Sequence, residues 1–360
     1  MTLLFAHEPA TPTPDEQREA VLGNPGFGTR FTDHMVTATW TPDAGWHDAA
    51  LRPYAPIAMD PAAAVLHYAQ AIFEGLKAYR HDDGSIWAFR PEANALRFQA
   101  SARRLALPTM DAADFVTAID VLVAADRDWV PGAPETSLYL RPFMFASEAF
   151  LGVRPATEVT FCLIASPAGP YFTTGVAGVS IWVSTDFSRA APGGTGAAKC
   201  AGNYAASLLA MQQAAEHGCQ QVVFLDAVER TWVEELGGMN LFFVHADGTL
   251  VTPELTGTIL EGITRSSILT LAAEQGLDVV ERKVSIEEWQ AGAASGEITE
   301  VFACGTAAVV TPVSRLAWDS GEVRLGDGEP GPVTLDIRRA LVDLQYGRVA
   351  DRYGWMHKIC

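Results

Sequence analysis

One lysine, Lys199, is the only charged side chain between Ala190 and Ala215, in a stretch that reads GGTGAAKCAGNY from Gly193 to Tyr204. The chain has four lysines (Lys77, Lys199, Lys283 and Lys358) against 21 arginines, and the other three sit near Arg, His or Glu. An exposed lysine at a helix start is the ordinary reading, yet a cation there opposes the helix dipole. A phosphate-binding P-loop needs Gly before the lysine and Ser or Thr after it; the neighbours here are Ala198 and Cys200. The third chemistry is covalent. A lysine amine must be neutral to attack an aldehyde, and low-dielectric surroundings and a nearby helix N-terminus both lower an amine pKa. Small neighbours also let a bulky aromatic group lie close to the backbone.

Other residue types supply what such an aromatic aldehyde would need. TWVEELGGMNLFFV places Glu234 and Glu235 inside an apolar strand, and alternation sends one of them inward; the other reading is an edge-strand pair facing water. A buried carboxylate is costly without a partner, and a protonated pyridine would be one. In LEGITRSS, Gly262 stands at a helix start, whose free N–H groups suit a dianion. In CGTAAVV, Gly305 and Thr306 break a strand where a turn can aim N–H groups at an anion. Each also has a plain structural reading, a Gly-started helix and a bulge. An amine for an aldehyde, a carboxylate for a ring nitrogen and a cradle for a phosphate are the three demands of pyridoxal 5′-phosphate.

The elements that must position these residues are legible in outline. LKAYRHDDGSIWAFR reads as a hairpin turning at Asp83-Gly84. In the next segment Ala95, Phe98, Ala102 and Leu105 form one helical stripe, with Arg97, Ser101 and Arg104 on another face. A second amphipathic helix covers Phe115 to Ala125. TSLYLRPFMFA and TEVTFCLIAS read as strands, so Tyr139 and Arg141 share a face. SPAGPYFTTG, Ser166 to Gly175, is the best linker candidate. Beyond it, GVSIWVS is a strand, Tyr204 to His217 a helix closed by Gly218, QQVVFLD and TWVEEL strands, and NLFFVHADGTLVTP a hairpin at Asp247-Gly248. GITRSSILTLAAEQG is a helix, Ser285 and Glu288 form a capping box, and a last helix runs from about Leu335 to Gln345.

The chain has 360 residues, so two domains are expected. Hydrophobic residues are 49% and charged residues 19%, the profile of a soluble globular enzyme. A net charge of −18 argues against nucleic acid or an anionic membrane as partner. Any anionic ligand must be met by locally placed Arg, Lys or N–H groups. The five cysteines are scattered and no two lie two residues apart, which fits a reduced, cytoplasmic protein with no metal knuckle or disulfide framework. The start, MTLLFAHEPATPTPD, has no basic region or cleavage-like site, and no stretch reaches ~18 apolar residues.

Eight segments in order resemble the branched-chain amino acid aminotransferases of the class IV aminotransferase family, pyridoxal phosphate fold type IV. They are FGTRFTDHM, LHYAQAIFEGLKAYR, FRPEANALRFQASARRLALP, LYLRPF, AAKCAGNYAASL, VEELGGMN, LTGTILEGITRSSIL and EVFACGTAAVVTPV. The resemblance implies a two-domain α/β and α+β fold. A small N-terminal α/β domain with an arm would span 1–168, a linker 169–176, and a larger strand-rich domain carrying the lysine 177–360.

By the same resemblance, Lys199 matches the lysine bonded to pyridoxal phosphate and Glu235, rather than Glu234, the partner of its ring nitrogen. Tyr204 matches the phenol at its ring oxygen. Arg97 would anchor the phosphate, with the Ile263 and Thr264 amides and the Thr306 hydroxyl. Tyr68 and Phe73 match pocket residues, Tyr139 and Arg141 residues near the substrate side chain or carboxylate, and Thr306 with Ala307 the turn that holds the substrate α-carboxylate. Gly238 stands where many relatives have Thr. Ala308 and Thr311 stand where animal members carry a Cys-x-x-Cys, so a redox switch of that kind is not expected. The implied reaction is ping-pong transfer of an amino group between leucine, isoleucine or valine and 2-oxoglutarate, in a homodimer. Rivals are a D-amino acid aminotransferase or aminodeoxychorismate lyase, whose chains are usually shorter and lack the FTDHM arm. From another class, the rival is a non-catalytic nucleotide-binding protein using the Gly-rich loop.

Overall fold

The computed structural model describes residues 3–169 and 176–360. The chain divides into two compact units, Met1–Pro170 with Ala198–Ala201 and Leu344–Cys360, and Tyr171–Ala197 with Gly202–Asp343.

The first unit is built on a nine-stranded, largely antiparallel sheet. Its order is Ala6–His7, Gly45–Pro53, His34–Thr41, Val159–Ala168, Ser137–Ala146, Leu76–Arg80, Ile86–Phe89, Met356–Lys358, with the short strand Ala71–Phe73 also pairing with Ser137–Ala146. Helices Pro91–Arg104 and Ala112–Ala125 supply Phe98 and Phe115, which meet Phe161 of the sheet with ring centroids 5.3–6.4 Å apart. The expected stripe is the buried one: Ala95, Phe98 and Ala102 are in the core, while Leu105 caps the helix and is partly buried. Burying such side chains contributes about 1.5–3 kcal/mol for each large one. The turn between Leu76–Arg80 and Ile86–Phe89 uses Gly84 at φ +83°, the left-handed region that favours glycine.

The second unit holds a nine-stranded mixed sheet, in the order Val233–Leu236, Gln221–Leu225, Val179–Ser184, Val309–Trp318, Ile298–Gly305, Asn240–His245, Thr249–Thr252, Asp278–Glu281, with Gly321–Arg324 paired to Val309–Trp318. Its core centres on Trp289, edge-on to Phe243 at 5.1 Å. The capping box is formed, with Ser285 Oγ accepting from the Glu288 N–H at 3.0 Å.

This division differs from the expected one in three respects. The first unit is the larger, 191 residues against 169. Lys199 and the C-terminal Leu344–Cys360 group with the first unit, not the second. The reason is hydrogen bonding: Cys200 bridges Ile72, and Met356–Lys358 adds an edge strand beside Ile86–Phe89. The linker candidate begins inside a strand, since Val159–Ala168 contains Ser166; its residues 170–175 lie outside the described residues.

Candidate active site

The lysine backbone is fixed by the first unit. The Lys199 N–H donates to Ser101 Oγ at 2.9 Å, and its carbonyl accepts from the Phe73 N–H at 3.0 Å. With the Ile72–Cys200 bridge, this adds the segment alongside Ala71–Phe73. Lys199 Nζ lies 5.0 Å from the centroid of the Phe73 ring. Burial is the main cause that pulls its pKa from 10.5 to about 8; Arg97 and Arg141 push the same way, and Glu74 and Tyr139 oppose. At pH 7 that makes a neutral amine roughly 300 times more abundant than at an ordinary lysine. Lys199 precedes the helix Ala201–Glu216 by two residues.

Around it stand four of the expected residues. Arg97 is bound bidentate to the fully buried Glu74, Nε to Oε1 and Nη2 to Oε2, both at 2.8 Å. Tyr139 and Arg141 do share a face, and Arg141 Nη2 donates to the Tyr139 hydroxyl at 2.9 Å. The Arg141 guanidinium also lies over two rings, Phe73 at 4.8 Å and Tyr139 at 5.4 Å. It carries no salt bridge among the described residues, and its Nε is buried without a partner. A recess of about 350 Å3 lies beside the pair, lined by Phe27, Phe31, Tyr139, Arg141 and Ile164 among others. Gly75 is required here, because a Cβ would sit 2.1 Å from the Tyr139 hydroxyl.

In the second unit both glutamates are buried, which the alternation argument did not anticipate. Glu235 Oε1 pairs with Arg189 Nη2 at 2.6 Å and accepts from the Leu260 N–H at 3.1 Å; Oε2 accepts from Asn240 Nδ2 at 3.2 Å. Glu234 Oε1 accepts from the Thr258 hydroxyl, and its Oε2 is buried without a partner. Burial raises the Glu234 carboxyl above the usual carboxylate range, against the Thr258 hydrogen bond and Arg189. Neighbours on one strand thus have opposite characters, Glu235 matched to a guanidinium and Glu234 inclined to hold its proton.

The helix start expected to meet an anion adjoins Glu235. Asn240, which bonds Glu235 and the Leu260 carbonyl, also packs on Gly262: a Cβ there would fall 1.9 Å from Asn240 Oδ1. Gly262 is the N-cap of helix Ile263–Glu274 and no side chain caps that end, so the Ile263 and Thr264 amides open the helix. Thr306 and Ala307 lie in the turn joining Ile298–Gly305 to Val309–Trp318. Val309 closes it at φ +61°, strained for a β-branched residue. A Cβ on Gly238 would make ordinary contact, 3.5 Å, with the Tyr204 ring, and one on Gly305 would lie 3.7 Å from the Gly238 carbonyl. Glu235, Tyr204, Thr306 and the helix start therefore share one neighbourhood of this unit.

Tyr68 ends the short helix Ala64–Tyr68. It is exposed, and its hydroxyl donates to the Leu151 carbonyl at 2.5 Å. Two residues escaped the sequence reading, Glu74 and Arg189. A lone carboxylate inside the apolar run IFEGL was a signal for the first. Arg189, just before the charge-poor stretch, binds the Gly196 carbonyl at 3.0 Å and the Thr258 carbonyl as well as Glu235.

The chain matches the model of the class IV amino-transferases over residues 71–316. It is 58% identical to a branched-chain-amino-acid aminotransferase of Mycobacterium tuberculosis, covering 99% of this chain and 98% of that protein. A probable branched-chain-amino-acid aminotransferase of Streptomyces coelicolor is also 58% identical over 97% of each chain. Among solved structures, the branched-chain amino acid aminotransferase of Escherichia coli superposes with a TM-score of 0.75 at 30% identity, over 90% of this chain and 99% of that one. That of Thermobaculum terrenum, solved in its pyridoxal phosphate form, gives 0.72 at 25% identity over 90% and 98%. With the family model matched over residues 71–316 and similarity to curated relatives running nearly end to end, this chain belongs to the class IV aminotransferases.

Proposed function

We infer that this chain is a pyridoxal 5′-phosphate-dependent branched-chain amino acid aminotransferase, moving an amino group between leucine, isoleucine or valine and 2-oxoglutarate. The observation that carries the chemistry is Lys199, a partly buried lysine with a pKa near 8, fixed through its backbone. The substrate class follows the names of the relatives at 58% identity.

The residues present fit the cofactor. The helix end at Gly262 has no side-chain cap, and Glu235 is a buried, oriented carboxylate. Lys199 would hold the aldehyde carbon and Glu235 would face the ring nitrogen. Tyr204 would reach the ring oxygen, and Arg97, the Ile263 and Thr264 amides and the Thr306 hydroxyl the phosphate. When bound, the cofactor supplies an exchangeable carbonyl and a ring that accepts electron density from the substrate α-carbon. Lys199 Nζ, largely ammonium at neutral pH but easily deprotonated, acts as general base toward the substrate α-proton and then returns it as an acid. Phe73, Tyr139 and Arg141 form the substrate side of the lysine cluster; Thr306 and Ala307 would hold the α-carboxylate. Release of the 2-oxo acid before the second substrate binds gives ping-pong kinetics.

The same reading includes a homodimer in the cytoplasm. Leu66, Tyr68, Leu151 and Val153 are exposed on the first unit, and the Tyr68–Leu151 hydrogen bond ties two of them together. Such a patch favours a second copy as cover, and Tyr68 would then serve the neighbouring site. Among the described residues no helix is long and apolar enough to cross a membrane.

A visible absorption band in purified protein, bleached by borohydride with mass added at Lys199, is the expected result, together with faster single turnovers for leucine, isoleucine and valine than for other donors. A colourless protein that binds nucleotide, or one that turns over only D-amino acids, would overturn the reading. Sedimentation at the mass of one chain would overturn the dimer.

A further inference from the structure

We propose that Glu74 is a positioning residue that sets the basicity of Lys199 by holding Arg97 in a neutral pair beside it. This rests on Lys199 being the reactive amine. Glu74 follows Phe73, whose N–H bonds the Lys199 carbonyl and whose ring lies under Nζ. Its side chain is fully buried and spans Arg97 with two 2.8 Å bonds, and its Oε2 also accepts from the Gly75 N–H at 3.2 Å. Its backbone N–H bonds the Pro142 carbonyl on the strand that carries Tyr139 and Arg141. Arg97 comes from the helix Pro91–Arg104, four residues before Ser101, which holds the Lys199 N–H. One residue, through its side chain and its backbone, is therefore anchored to all three elements that face the lysine.

The geometry gives the effect its sign. An arginine beside a lysine disfavours the ammonium, and a carboxylate favours it. The charged and titratable groups facing Lys199 are Arg97 on the helix, Glu74 after the short strand, and Tyr139 and Arg141 on the long strand. Without Glu74, two guanidiniums would act on the amine with no buried anion opposing them. Reactivity needs the neutral amine, while return of the proton needs a group that can still carry one. The Glu74–Arg97 pair keeps the lysine between these demands while leaving an arginine in place for an anionic ligand.

The test is the pH dependence of labelling. The full-length chain is loaded with pyridoxamine 5′-phosphate, whose amine cannot capture Lys199. It is then labelled with trinitrobenzenesulfonate across a pH series, and the Lys199 peptide is quantified by mass spectrometry. Glu74→Gln should lower the labelling midpoint by about one pH unit, and Arg97→Gln should raise it by about as much. The double variant should return close to wild type. Midpoints that move in one direction in all three, or do not move, overturn the proposal, because a merely structural role gives no opposite signs. If Glu74→Gln alone does not fold, the double variant must still label at lower pH than Arg97→Gln, and equality of those two is disproof. A wild-type chain that neither retains the pyridoxamine form nor transfers amino groups would instead sink the function reading, and the Lys199 midpoints would still decide the role of Glu74.

Discussion

Ser101 Oγ accepts the backbone N–H of Lys199 at 2.9 Å, so a serine with no solvent exposure holds Lys199 through its main chain and leaves the amine to other groups. Ser101→Ala removes that acceptor, the loss of one part-buried hydrogen bond, at a cost of about 0.5–1.5 kcal/mol. We expect a melting temperature several degrees lower and a weaker turnover. An unchanged melting temperature in differential scanning calorimetry would show that this bond is replaceable.

Lys199→Ala should cut transamination by about 10^4-fold or more while the circular dichroism spectrum stays that of the wild type. Leucine transfer that persists without an added amine would refute the assignment.

The two buried glutamates should respond differently to the same change. Glu235→Gln strands Arg189, and breaking a buried pair from one side costs about 3–5 kcal/mol. The rate of both half-reactions should also fall by about 100-fold or more, since an amide cannot balance charge on the ring nitrogen. Glu234→Gln resembles the protonated form that burial already favours and should be mild. Paired stopped-flow and thermal-melt measurements separate the two, and the reverse ranking would move the ring partner to Glu234.

Glu234 also gives a signed pH dependence. Its folded-state pKa is raised, so its contribution to stability is fully present below the ordinary carboxylate value and is lost as pH rises through the raised one. Glu234→Gln has no such loss. The melting temperature of the variant should gain on that of the wild type as pH rises above the ordinary carboxylate range, and a gap that is constant or reversed would contradict the assignment.

Arg141 is held by Tyr139 and two aromatic faces and carries no carboxylate partner among the described residues. That leaves its charge available to the second carboxylate of glutamate and 2-oxoglutarate. Arg141→Gln should raise KM for those two by about 10–100-fold, the worth of one charge-assisted hydrogen bond, with little change for leucine. Single-turnover measurement of each half-reaction is the check; equal losses in both would assign Arg141 to support of the pocket.

Local signals were legible because local physics sets them. The Ala95–Phe98–Ala102 stripe, the Ser285 cap and the glycine turns at Gly84 and Gly248 depend on neighbours a few residues away. Lys199 could be singled out because its surroundings in sequence are short of charge, so that nothing nearby in the chain could account for it. The burial of both Glu234 and Glu235 was not legible, since alternation separates the faces of a strand but does not say whether either is wet. Glu74 and Arg189 were missed because their partners, Arg97 and Glu235, lie 23 and 46 positions away along the chain. The grouping of Lys199 with the first unit depends in the same way on bonds to Ile72, Phe73 and Ser101, none of which a spacing pattern encodes.

The bond from the Phe73 amide to the Lys199 carbonyl gives the protein a reporter that needs no cofactor and no substrate. That proton can exchange with deuterium only when the lysine segment lifts away from Ala71–Phe73. Its protection factor measures the free energy of lifting, residue by residue and in the resting protein. A variant that has lost activity because the lysine is displaced would exchange quickly at Phe73. One whose lysine sits correctly but has the wrong basicity would exchange as slowly as the wild type.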